Sequence, residues 1–244
     1  GATQGALGEA NGGSFDVFII KLKSDGSIDW ATQLGDSTEV TGGNNSGTDI
    51  CFSIAVDSSG NVYCTGNTSG SLAENNGGSS DILVIKLNSN GGLEWATQLG
   101  DTTKGFNSAD HSATDNGKSV VVDSSGNVYC AGRTEGSLGE ENGGDADAFV
   151  MKLNSSGAIQ WVTQLGDTTK GFSGADHSKD DYCESVTVDS SGNVYCAGIT
   201  EGALGEANGG GEDAFVMKLN SSGEIQWIKQ LGGTTKGYSG GDNS

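Results

Sequence analysis

Proline is missing from all 244 residues, so every reversal of this chain falls to other residues. The 43 glycines fit that task, because glycine supplies positive φ at no steric cost. Basic residues are scarce as well: 12 Lys+Arg stand against 32 Asp+Glu, a formal net charge of −20. That balance repels nucleic acid and anionic membranes and removes both from the expected partners. It attracts cations, Ca²⁺ among them, although its simplest consequence is solubility. Long apolar runs are absent too. Nothing approaches the ~20 residues of a membrane-spanning helix, which predicts no membrane insertion. No stretch combines helical periodicity with capping signals. At 33% the hydrophobic content is low for a compact globule, and the periodic apolar runs assign that deficit to long polar loops. Gly1 falls inside a repeat, which points to a processed or partial chain.

What the chain does contain is a repeat of 66 residues. Asp57, Asp123 and Asp189 are equivalent, as are Cys64, Cys130 and Cys196. A second series gives Asp16, Asp81, Asp147 and Asp213, followed by Trp30, Trp95, Trp161 and Trp227. A fixed long period marks a repeat architecture. Inside each unit the short period is two. Ser119–Val122 runs into D-S-S-G-N and then Val128–Ala131, which reads as a hairpin. Ala148–Leu153, N-S-S-G and Ile159–Val162 repeat the device.

Four short antiparallel strands per unit make the content of one propeller blade. The expected fold is therefore an all-β propeller with about three and a half blades. Residues 1–49 read as a half blade (third and fourth strands) plus a loop, 50–117 and 118–183 as blades, and 184–244 as a blade with a C-terminal loop. Propellers typically need four to eight blades, so further blades or further copies are expected to close the ring.

The segments V-D-S-S-G-N-V-Y-C-A-G, D-A-F-V-M-K-L-N-S-S-G and W-V-T-Q-L-G, at constant spacing, resemble the bacterial β-propeller repeats called SBBP. The resemblance covers essentially the whole chain. It implies bladed propellers in secreted or surface-exposed proteins, usually without assigned catalysis. The chain departs from that pattern by placing Cys where Val or Ile is usual, and by longer loops. The segment L-N-S-S-G-A-I-Q-W also looks like the tryptophan docking motif of quinoprotein propellers.

No G-x-S-x-G elbow, H-E-x-x-H helix or Cys/His pairing points to catalysis, and no enzyme activity or cofactor is expected. His111 and His177 are repeat-equivalent loop residues that read as solvated. The best ligand candidates are loop residues in register: Phe106, Phe172 and Tyr238 for stacking, with Asp110, Asp176 and Asp242 beside them. Carboxylates crowd at Glu140, Asp145 and Asp147, and at Asp180 and Asp181, where loop oxygens could hold Ca²⁺. Yet no EF-hand or nonapeptide calcium pattern appears.

The tryptophans read as outer-strand or inter-blade packing residues, with sugar stacking as the alternative. Cys64 should face residues around 54–55, which leaves Cys51 three or four residues beyond and disfavours a direct bridge. Asp147 and Lys152 fall on opposite faces of one strand, so each should meet a neighbouring strand or a turn amide. The leading functional expectation is an extracellular or cell-surface interaction module that binds other protein chains or copies of itself. The alternative is a lectin-like, glycan-binding propeller, and an enzyme of quinoprotein or hydrolase type comes third.

Overall fold

The computed structural model describes residues 1–7, 11, 14–35, 47–100, 113–138, 142–166, 179–204 and 208–232. Every regular element among them is a β-strand. A three-stranded sheet holds β1 (Ala2–Thr3), β2 (Asp16–Leu22) and β3 (Ile28–Leu34). The next sheet runs β4 (Asp49–Val56), β5 (Val62–Thr68), β6 (Asp81–Leu87) and β7 (Leu93–Leu99). It is followed by β8 (Asp115–Val122), β9 (Val128–Thr134), β10 (Asp147–Leu153) and β11 (Ile159–Leu165). The last sheet is β12 (Asp181–Val188), β13 (Val194–Thr200), β14 (Asp213–Leu219) and β15 (Ile225–Leu231). Within each sheet, strands adjacent in sequence pair antiparallel. The N-terminal sheet thus carries a stub of a second strand beside its third and fourth. There Thr3↔Asp16 takes the place of Thr68↔Asp81.

Turn chemistry fixes these hairpins. In D-S-S-G-N, Asp123 Oδ1 accepts the amides of Ser125 (2.8 Å) and Asn127 (2.9 Å), and Oδ2 accepts Asn127 Nδ2 at 2.8 Å. Gly126 closes the turn at φ +79°. In N-S-S-G, Asn154 Oδ1 accepts the amides of Ser156 and Ala158, and Gly157 lies at φ +84°. Side chains that bond their own backbone while a glycine takes the left-handed position make a turn nearly independent of the rest of the fold.

The first strands contain a bulge that the alternation pattern does not reveal. Cys64 pairs with Ile54, as expected, but the register skips Phe52 between Cys51 and Ser53. The extra residue draws Cys51 back toward Cys64, with Cα atoms 6.0 Å apart, and the two form a disulfide. Cys183 and Cys196 do the same across the matching skip at Glu184. Both bridges correct the expectation that spacing disfavours them. Cys130 stays a buried thiol, because Gly117 stands where its partner would be. Burial pushes that thiol up to about 12, against the hydrogen bond with Thr65.

The apolar core lies in the seams between sheets. Each of three clusters spans two neighbours: one joins Tyr63 and Leu99 to Val120, Cys130 and Met151, another Tyr129 and Ala131 to Val186 and Phe215. The first strand of each sheet lies against the second and third strands of the sheet before it. Short parallel bridges (Phe15↔Thr48, Ser80↔Thr114, Ala146↔Asp180) fix one end of each seam. At the other end an outer-strand tryptophan bonds the next sheet's turn: Trp95 Nε1 donates to Ser155 O at 3.1 Å, and Thr97 Oγ1 to Gly157 O at 2.8 Å. A Cβ on Gly157 would meet the Trp95 ring at 2.8 Å. These indoles rivet sheets together, and inter-blade packing is their role.

Candidate functional site

Of the residues singled out in the sequence, Phe106, Asp110, Phe172, Asp176, Tyr238, Asp242 and Glu140 lie outside the described residues, as do His111 and His177. The remaining acids converge. The bridge Ala146↔Asp180 brings 145–147 beside 180–181 at one end of a seam, where the Asp181 amide donates to Ala146 O at 2.7 Å. Asp145 is exposed, Asp180 is half-buried and accepts the Tyr182 hydroxyl, and Asp147 and Asp181 are fully buried. Burial, with the Asp180 bond second, pushes the Tyr182 hydroxyl up to about 12, against the Arg133 guanidinium over its ring. Among the described residues, no group of three or more His, Cys, Asp or Glu side chains is placed to hold a metal ion.

Asp147 has a structural task. Its Oδ2 accepts the Gly143 amide at 2.9 Å and Gln164 Nε2 at 2.8 Å. The same Gln164 donates to Gly136 O and accepts the Leu138 amide, so one fourth-strand side chain ties the third strand to the loop that leads into it from the second. Gln98 and Gln230 repeat the lock on Asp81 and Asp213. In the Asp81 copy, burial raises the carboxyl above its usual range although Gln98 and Gly77 donate to it. The glutamine recurs in every Q-L-G that ends a fourth strand, a signal that was present in the sequence but silent until its partner was visible. Lys152 caps the Tyr129 ring at 5.3 Å, so Asp147 and Lys152 serve opposite faces as expected.

Two surface features remain. A polar groove of about 370 Å³ runs between neighbouring turns, lined by Asp57, Ser59, Tyr63, Lys86, Asp123 and Ser125. Asp123 is held below the usual carboxylate range: burial opposes ionisation, but bonds from Asn127, Ser125 and Tyr129 outweigh it. That carboxylate is already engaged by its own hairpin.

The second feature is the pair of open end faces. On the last sheet Val216 and Leu231 are 39% and 68% exposed, whereas their equivalents Val150 and Leu165 are 0% and 2%. Ala197 and Ala214 are exposed too, against buried Ala131 and Ala148. At the internal seams the next sheet covers these positions. At the opposite end Ile20, Leu22 and Ile54 are 37%, 57% and 59% exposed, against 0%, 0% and 7% for Met151, Leu153 and Val120. The sequence pattern did not single these residues out, because their equivalents in the middle sheet are buried.

Stacked four-stranded antiparallel sheets, repeated in register and riveted along their seams, define this as a β-propeller protein built from blades. The family model for the SBBP β-propeller repeat matches residues 29–73, 94–140 and 160–206, together more than half of the chain. The chain belongs to that family. Each match begins on the outer strand of one sheet and ends beyond the second strand of the next, so the sequence unit straddles a seam. No curated protein matches. Among solved structures, a protein of unknown function from Bacteroides caccae is similar over 90% of this chain at 13% identity, with a TM-score of 0.40. The chain spans 59% of that protein's length.

Proposed function

We propose that this protein is a non-enzymatic interaction propeller, secreted or held at the cell surface, whose blades assemble with further blades or further copies while its loops are displayed. The observation that carries the reading is the face of the last sheet. Val216, Leu231, Ala197 and Ala214 stand in solvent where the same positions in the two preceding sheets are core. An apolar face with a ready-made counterpart elsewhere in the molecule favours association, and repeated loops on a rigid frame gain avidity by number. The recurrent carboxylates support a structural reading, because Asp81, Asp147 and Asp213 lock strand ends and Asp57, Asp123 and Asp189 tie turns. The disulfides Cys51–Cys64 and Cys183–Cys196 support an oxidising compartment, where such bonds persist.

Sedimentation equilibrium over a hundredfold concentration range tests the reading. Assembly that rises with concentration and is lost in Val216→Lys supports it. A monomer at every concentration, with no partner-dependent change at that face, overturns it.

A further inference from the structure

The seam between the first two sheets departs from the others at one cross-strand pair. In the third and fourth sheets the third and fourth strands set Met151 against Val162 and Met217 against Ile228. The matching pair in the second sheet is Ile85↔Ala96. Ala96 lacks the branch carbons of Val162 and Ile228, and Ile85 reaches less far than methionine. The residues opposite do not make up the loss. Leu99 with Leu138, and Leu165 with Leu204, are fully buried at the next two seams, whereas Leu34 is only half-buried here.

What remains is an apolar pocket of about 290 Å³, walled by Leu34, Leu72, Ile85, Leu93 and Ala96, with Glu94 beside them. Its walls belong to β3, β6, β7 and the loop before β6. β3 pairs with β2, and β6 with both β5 and β7, so the hollow owes nothing to the open end faces. Protein interiors are normally close-packed, and an apolar hollow suits water poorly but admits an apolar guest. This one lies at the small end of ligand pockets, the size for a fused bicycle or a short alkyl chain.

One polar group sets the chemistry of that guest. Glu94 Oε2 meets Lys86 Nζ at 2.9 Å, and its Oε1 makes no hydrogen bond among the described residues. The spare oxygen accepts a donor. A full positive charge there would also meet the Lys86 ammonium, and a negative one would meet Glu94 itself in a molecule of net charge −20. A neutral hydroxyl on an apolar body avoids both penalties.

We infer that this pocket is a binding site for a small neutral phenol or alcohol, its apolar body against Ile85 and Ala96 and its hydroxyl donating to Glu94. The site is separate from the assembly face proposed above and does not depend on it.

The probe is 1-naphthol, titrated into the full chain by isothermal calorimetry. Saturable binding at one site is expected, with naphthalene and 1-naphthoate each at least tenfold weaker. Ala96→Ile, which installs the residue that Ile228 places at the same position, should abolish binding, and Ala96→Val should weaken it at least threefold. Both fill space, so each should melt at or above the wild-type midpoint, and if Ala96→Ile does not fold, Ala96→Val decides. Val216→Lys should bind as the wild type does. No saturable binding overturns the proposal and leaves the hollow a packing defect. Undiminished binding in a folded Ala96 variant, or loss in Val216→Lys, places the guest elsewhere and overturns it too. Equal binding of naphthalene or of 1-naphthoate overturns the assigned chemistry. A chain that assembles through Val216 yet ignores 1-naphthol refutes the pocket and leaves the proposed function standing.

Discussion

Thr65 and Gly117 show how one side chain distinguishes seams that otherwise look alike. Thr65 sits on β5, donates to Leu83 O at 3.0 Å, and lies 2.9 Å from Cys130 Sγ in the next sheet. A Cβ on Gly117 would meet the Thr65 hydroxyl at 2.2 Å, so this seam has no room for the cysteine found at Cys51 and Cys183. In the following seam the equivalent residue is Ala131, and the disulfide fits. Gly117→Cys alone should lower stability by overpacking, about 1–3 kcal/mol. Combined with Thr65→Ala it should form a third bridge, to Cys130. Peptide mapping without reductant checks this: a free Cys130 in the double variant would refute the steric account.

At the scale of the hairpin, the D-S-S-G-N turn depends on an ionised aspartate. Asp123 collects two amides, an amide side chain and the Tyr129 hydroxyl, and together they hold its carboxyl low against the effect of burial. A depressed folded value contributes stability above the unfolded carboxyl value of about 4, and that contribution fades as pH falls through the folded value. Asp123→Ala should therefore cost about 1–2 kcal/mol at pH 7, limited by solvent screening, and less at pH 3. Urea titrations at the two pH values measure it; an equal cost at both would show that the charge is irrelevant. Asp81 acts with the opposite sign. Its raised value means stability is lost as pH rises from about 4 through that value.

These hairpins were legible in the sequence because their determinants are local: period-two runs, Asx turns and a glycine at each reversal. Trp95 and Trp161 were legible as packing residues for the same reason, recurring at one strand position. The disulfides were not. Their geometry depends on the skipped residues Phe52 and Glu184, and a bulge shows only when the partner strand is in place. The Asp–Gln locks were hidden likewise, since Asp147 and Gln164 are 17 residues apart and meet only across a formed sheet. The loop candidates, Phe106 and Asp110 with their copies, lie outside the described residues. The acids at 145–147 and 180–181 were read as a crowd, and one of them, Asp147, proved to lock a strand end.

Across the whole molecule, stability should be graded along the stack. The middle sheet, β8–β11, is covered on both faces, whereas β2–β3 and β14–β15 each leave a face in solvent. In such quasi-one-dimensional stacks each unit is held mainly by its neighbours. Native-state hydrogen exchange should rank the amides of β9 and β10 slowest and those of β2 and β15 fastest. Uniform protection from end to end would mean that the stack opens only as a single unit.

Both cross-links join two strands of one sheet, and neither spans a seam. Under tension, then, the seams are the fuses. A molecule pulled from its ends separates sheet from sheet without breaking a covalent bond, while the stretches from Cys51 to Cys64 and from Cys183 to Cys196 release no length. Each withholds roughly 4 nm of extended chain until it is reduced. How far the molecule can stretch is thereby coupled to how oxidising its surroundings are.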